Sequence, residues 1–266
     1  MLAAAGTSML PRLGCTGPGA AIAPGIQLYT VRTLLEKDVE GTLAELSAIG
    51  YREVELAGLH GLTPEAFRGL LDRHELTAPS MHIGLPQLRG DPAPTFAAAR
   101  TLGSHYVVVP WLEVNERETI AAYRSRAAEL NTIGRQAKDA GLQLGYHNHD
   151  FELMPINGVV PYQMLLDECD ADLVKMELDL YWLAKAGGEP SAYFARHPGR
   201  FAMVHVKDMS TSGEMVDVGK GYLDFEAVFA KADSAGIRHA FVEHDQPPDP
   251  LQSARNSIAG LRNVLP

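Results

Sequence analysis

The sequence predicts an α/β fold, a single-domain (β/α)8 barrel, on three observations. Eight short β-rich runs recur from Gly25 onward, they start roughly 26 to 38 residues apart, and amphipathic stretches with helical spacing lie between them. The main competing architecture, an open doubly wound sheet, calls for a glycine-rich phosphate loop after the first strand, and GIQLYTVR has none.

The first run, GIQLYT, is followed by VEGTLAELSAIG, where Leu43, Leu46 and Ile49 share a face and Gly50 supplies a C-terminal stop. REVELA near 52 precedes the helical PEAFRGLLDRH, and PSMHI near 79 precedes PTFAAARTLG. HYVVVPW near 105 leads into the long helical NERETIAAYRSRAAELNTIGRQAKDAG. LQLGYHN near 142, VKMELDLYW near 174 and FAMVHVK near 201 are the next three strands. FEAVFAKADSAG, the strand HAFVEHD near 239 and the helix PLQSARNSIAGLRNVL complete the chain.

At 266 residues, 46% apolar and 21% charged, the chain can bury a full core. A net charge of −10 with no run of Lys or Arg disfavours nucleic acid and other polyanions as partners. Cys15 and Cys169 form neither a metal-binding pair nor a disulfide framework. Residues 1–24, rich in Ala, Gly and Pro, lack helical period and read as a tail before a barrel domain at 25–266. Two readings of the tail stand: an export signal without its basic start, cleaved near AAIAP, or a disordered extension. The first places the protein in the periplasm and the second in the cytoplasm. The segment is too short and too broken by Pro11 to span a membrane, and Arg12 stands where lipid attachment at Cys15 would need an apolar residue.

In a barrel, chemistry belongs at the C-terminal ends of the strands. His82 ends the third run, His147 and His149 the fifth, Glu177 and Asp179 the sixth, His205 and Lys207 the seventh, and Glu243, His244 and Asp245 the eighth. The first carries Gln27, Tyr29 and Arg32, the second Glu53 and Glu55. Residues two apart share a strand face, so Glu177 goes with Asp179, His205 with Lys207, and His147 with His149 if the strand extends that far. Imidazoles and carboxylates converging from neighbouring strands suit one divalent cation, Mn²⁺ first, with Mg²⁺, Co²⁺ or Zn²⁺ as alternatives, and burying those carboxylates without partners would be costly. Trp111, Tyr181 and Trp182 are candidate apolar walls for a sugar face, and His82, Gln27, Glu55 and Glu177 candidate substrate-binding residues. Arg32 either contacts a phosphate or starts a helix. His60, His74, His105 and His239 read as loop or surface residues.

GIQLYTVR, SMHIGL, YHNHDFE, ELDLYW, HVKDM and VEHD, in this order and covering Gly25 to Pro266, resemble the xylose-isomerase-like TIM-barrel superfamily, in particular its sugar phosphate isomerase/epimerase proteins. The resemblance implies a divalent metal held at the ends of strands five to eight by Glu, Asp, His and Glu, with an α-hydroxy-carbonyl sugar above it. By motif, Asp179, His205 and Glu243 take three of these places. At the fourth, His147 of His147-Asn148-His149 stands where many relatives carry glutamate, a pattern similar to inosose dehydratases of the same superfamily. Either His147 is the fourth ligand, or Glu152 or Glu177 supplies an oxygen and His147 becomes an acid/base.

The chemistry implied is proton transfer next to a carbonyl of a small sugar or keto-sugar. Glu243 would serve as ligand and base, His149, His147 or Glu152 would carry the second proton, and Lys207 would hold an oxyanion or substrate carboxylate. Returning the proton gives isomerisation or epimerisation; expelling a β-substituent makes the enzyme a lyase or dehydratase on inosose-like or 3-keto-glycoside substrates. A metal-dependent phosphodiesterase is disfavoured by the acidic balance. A homo-oligomer is compatible with the sequence.

Overall fold

A computed structural model describes residues 21–266. The barrel strands are β1 (Pro24–Gln27), β2 (Glu53–Leu56), β3 (Thr77–His82), β4 (Tyr106–Val109), β5 (Gln143–His147), β6 (Val174–Asp179), β7 (Phe201–Val206) and β8 (His239–Val242). Each pairs in parallel with its neighbours in sequence order, and β1 closes the ring on β8 through the registers Gly25↔Phe241 and Ile26↔Val242. The eight runs read from sequence are these eight strands, so the expected (β/α)8 barrel is the observed fold.

The expectations on residues 1–20 lie outside the described residues. The barrel takes up the end of the expected tail: Ile22 is buried in the core and Pro24 opens β1. Among the described residues no helix is long and apolar enough to cross a membrane.

Local chemistry accounts for the helices. Asp38, Thr63, Thr119, Asp224 and Asp249 each cap a helix by accepting a backbone N–H three residues on. Gly50, at φ 111°, ends the helix Val39–Ile49 in the left-handed region where glycine bears no Cβ penalty. The long helix runs Ile120–Asp139. Helices Pro161–Glu168 and Pro190–Arg196, and a two-stranded ribbon of Asp208–Met209 with Met215–Val216, occupy stretches that the apolar period did not single out. The run VKMELDLYW divides: β6 stops at Asp179, whose carboxylate caps the helix Leu180–Lys185 by accepting the N–H of Trp182 at 2.9 Å.

The large core lies between barrel and helices, while Val108, Ala202, Met203 and Phe241 form a smaller apolar plug inside the barrel. Gly145 belongs to that plug by size, since a Cβ there would stand 2.8 Å from Val108 Cγ2. Beneath it Glu53 faces His239 at 2.8 Å, with Tyr106 edge-on to the imidazole. Glu53 therefore sits at the N-terminal end of the barrel, away from the strand ends where the sequence placed it, and His239 is a strand residue rather than a loop one. Residues two apart share a face but differ in height by most of a layer.

Candidate metal centre

Four side chains at or just beyond the C-terminal ends of four consecutive strands converge above the plug. His147, Asp179, His205 and Glu243 each offer one ligand atom, all within 4.8 Å of one another, and all four residues are buried. His147 Nε2 lies 3.3 Å from Asp179 Oδ2, and His205 Nδ1 lies 2.8 Å from Glu243 Oε2. Two imidazole nitrogens and two carboxylate oxygens at this spacing fit a divalent cation.

A second group, Glu55, His82, Glu177 and His205, meets the same spacing and shares His205. The imidazole assigns itself between the two. Its Nδ1 faces Glu243, while Nε2 is taken by Glu55 at 2.6 Å and by Glu177 at 3.2 Å. Carboxylates behind a ligating histidine fix its tautomer and aim its other nitrogen, and the deeper group has that form. Glu55 is also saturated by neutral donors: Ser80 Oγ reaches Oε1 at 2.5 Å and Gln27 Nε2 reaches Oε2 at 2.7 Å. His147 is held similarly from behind, its Nδ1 lying 3.4 Å from the Pro110 carbonyl.

The electrostatics follow the burial. Desolvation alone would raise Glu55 and Glu243, but His82 and His205 hold the first, and Lys207 and His205 the second, well below the usual carboxylate range. Burial is likewise outweighed at Asp179, where Lys207 and His147 bring the carboxyl down to about 2. Burial opposes charge on the cations too, yet Glu177, Glu243 and Glu55 hold His205 well above its ordinary value, and Asp179, Glu243 and Asp245 do the same for Lys207. His82, against Glu55 and Glu177, rises to about 9 despite its burial.

Above this floor lies a cavity of about 580 Å³. His82, Trp111, His149 and Trp182 line it together with Lys207 and Glu243. Trp111, 39% exposed, stands edge-on to His149, which stacks on Phe151. His149 Nδ1 and Trp182 Nε1 are buried with no hydrogen-bond partner among the described residues. Burial, with His147 and Lys207, drives the His149 pKa down to about 2.

Several expected residues lie elsewhere. Gln27, Glu55 and Glu177 have no exposed surface and do not line the cavity; they brace His82 and His205 from below, and the Gln27 amide is also spent on the Tyr29 N–H at 3.0 Å. Glu152 also points away from the cavity. Its carboxylate accepts the Tyr146 hydroxyl at 2.7 Å and the His149 N–H at 2.8 Å, so it shapes the loop that carries His149; burial raises it to about 7 against those two bonds. Tyr181 donates its hydroxyl to the Gly213 carbonyl, joining the helix to the ribbon. Arg32 starts a short helix, and its guanidinium lies over the Tyr29 ring, 3.9 Å from the centroid.

Sequence reading passed over Ser80, Asn148 and Asp208. Ser80, two before His82, was within reach of the alternation rule. Asn148 fixes the end of β6 by accepting the Asp179 N–H at 3.0 Å. Asp208, buried beside Lys207, accepts the N–H groups of Met209, Gly219, Gly221 and Leu223 and so ties down the ribbon loop. No local signal marks the last two.

A closed parallel barrel with imidazoles and carboxylates converging at the C-terminal ends of β5 to β8 defines a (β/α)8 protein with a candidate divalent-metal centre. The chain belongs to the xylose isomerase-like TIM barrel family, whose match spans residues 43–264. It is 26% identical over 163 residues to an inosose dehydratase of Clostridium perfringens, an alignment covering 53% of each chain, so it spans about half the length of the curated relatives it matches. A sugar phosphate isomerase/epimerase from Parabacteroides distasonis superposes with a TM-score of 0.77 at 23% identity, covering 96% of this chain and 98% of that one. A protein named IOLI, crystallised with a zinc atom, superposes with a TM-score of 0.74 at 13% identity, covering 91% and 98%. At these identities the two structures establish the shared fold.

Proposed function

We infer that the protein is a divalent-metal-dependent enzyme that moves a proton at the carbon next to a carbonyl of a small sugar or keto-sugar, an isomerase or epimerase. The observation that carries this reading is the convergence of His147, Asp179, His205 and Glu243 beneath a cavity walled by Trp111 and Trp182. The zinc atom in the IOLI structure and the name of the Parabacteroides protein support it.

In this reading the four residues hold the ion, with Mn²⁺ as the first candidate. When bound, the ion supplies polarisation of the substrate carbonyl and its neighbouring hydroxyl. Glu243, at the cavity wall, takes the proton from carbon; Lys207 faces the oxygen on which charge develops; His149, which also lines the cavity, is the second proton-handling group. Trp111 and Trp182 offer flat apolar surfaces to the sugar ring. Glu152 acts through the His149 loop as a positioning residue.

A second reading, a lyase or dehydratase on inosose-like or 3-keto-glycoside substrates, is favoured by His147 in the place of a glutamate and by the similarity to inosose dehydratase. With an imidazole there, a carboxylate pair on opposite faces of the substrate, which epimerisation would use, is reduced to Glu243.

The test is metal analysis of the purified protein, followed by NMR detection of deuterium uptake from D₂O into a panel of ketoses, inososes and 3-keto-glycosides. Exchange at carbon that requires the metal is expected. His205→Ala should lose most of the bound metal; full occupancy in that variant would remove His205 from the coordinating set, and absence of exchange across the panel would overturn the proton-transfer reading.

A further inference from the structure

Lys207 stands among the groups that a divalent ion would need. Its Nζ lies 3.0 Å from Asp179 Oδ2 and 2.7 Å from Glu243 Oε2, the same two oxygens that face His147 and His205. Its third partner is of another kind. Asp245 Oδ1, 2.7 Å away, belongs to neither candidate ligand group, and its side chain is 29% exposed at the cavity rim. The rest of Lys207 is enclosed, with the Trp182 indole 5.8 Å from its ammonium.

We propose that Lys207 competes with the divalent ion for Asp179 and Glu243 and so lowers the affinity of the centre, and that Asp245 is the seat to which its ammonium withdraws when the ion is bound. This rests on the metal reading above. A carboxylate oxygen can accept from both cations at once, but two positive charges would then lie a few ångströms apart where little water screens them. Only a carboxylate outside the coordinating set relieves that repulsion, and Asp245 is the one in contact. The flexible four-carbon stem of lysine permits the withdrawal; a rigid planar guanidinium would not do so as readily. The arrangement keeps the acidic centre neutralised without the ion, while making the ion exchangeable.

The test is Mn²⁺ affinity of the full chain, measured by competition with a fluorescent chelator, with circular dichroism to verify folding. Lys207→Met should tighten Mn²⁺ binding by about ten-fold or more, since it removes a positive charge at contact distance from two ligand oxygens. Asp245→Asn should weaken it by several-fold, and this effect should shrink in the Lys207→Met background, where no ammonium needs a seat. Equal or weaker binding in Lys207→Met would overturn the competition, leaving Lys207 as a prop for the two carboxylates. An undiminished effect of Asp245→Asn in the double variant would overturn the withdrawal. If Lys207→Met does not fold, Lys207→Gln, neutral and still able to donate hydrogen bonds, decides the same question. Wild-type protein that binds none of Mn²⁺, Mg²⁺, Co²⁺ or Zn²⁺ would sink the metal reading itself.

Discussion

Replacing Glu55 by Gln tests whether the deeper group exists to aim His205. Glu55 is fully buried, its Oε2 accepts from Gln27 and lies 2.6 Å from His205 Nε2, and its Oε1 accepts from Ser80. An amide can be accommodated in only one orientation. Turned toward Gln27 and His205, its NH₂ would meet two donors, because the Gln27 oxygen is already occupied by the Tyr29 N–H. Turned toward Ser80, it meets a hydroxyl that can rotate to accept. The shape and one hydrogen bond to His205 survive; what is lost is the negative charge behind the imidazole. Partners of this kind are worth about 10- to 100-fold in metal affinity, or roughly 1.4 to 2.7 kcal/mol. Chelator competition on wild type and Glu55→Gln should show a loss in that range with the fold retained. Affinity within about twofold of wild type would refute the orienting role and reopen the deeper group as a coordinating one.

Three further outcomes are expected. Glu152, raised by burial from 4.5 to about 7, favours its protonated form in the fold, so its contribution to stability is full below about pH 4.5 and lost as pH rises through 7. Glu152→Gln should flatten the stability of the protein between pH 5 and 8 by about 3 kcal/mol, read by urea unfolding; parallel curves would show that the carboxyl ionises without cost. Gly145→Ala puts a methyl carbon 2.8 Å from Val108 inside the barrel and should cost about 1 to 3 kcal/mol, visible as a lower melting temperature, whereas an unchanged midpoint would mean the plug has room. Removing metal with a chelator should lower the melting temperature of wild type but not of His205→Ala, because an ion that binds only the folded state stabilises it by mass action.

Much of the architecture was legible because its signals are local. Runs such as YVVV, the stop at Gly50 and the apolar period of VEGTLAELSAIG depend on residues within one or two turns of each other. The barrel rule then placed His82, His147, Asp179, His205 and Glu243 at one end. The helices Pro161–Glu168 and Pro190–Arg196 were less legible, being short, opened by proline, and set by tertiary packing more than by their own period. The misplaced height of Glu53 has a similar origin: alternation tells which face a residue occupies, and only the stagger of the strands tells how far along the barrel it lies.

By itself, then, the sequence determined the strand count, the faces of the strands and the pool of ligand-bearing residues, since these follow from spacing along a single chain. Which members of the pool meet was decided by the tertiary structure. Gln27 and Glu55, 28 apart in sequence, meet because β1 pairs directly with β2, whereas Glu55 and His205, 150 apart, meet across the barrel only when the ring closes. Closure also chose which nitrogen of His205 faces Glu243, turned Glu152 away from the cavity, and set Lys207 between the candidate ligands and Asp245.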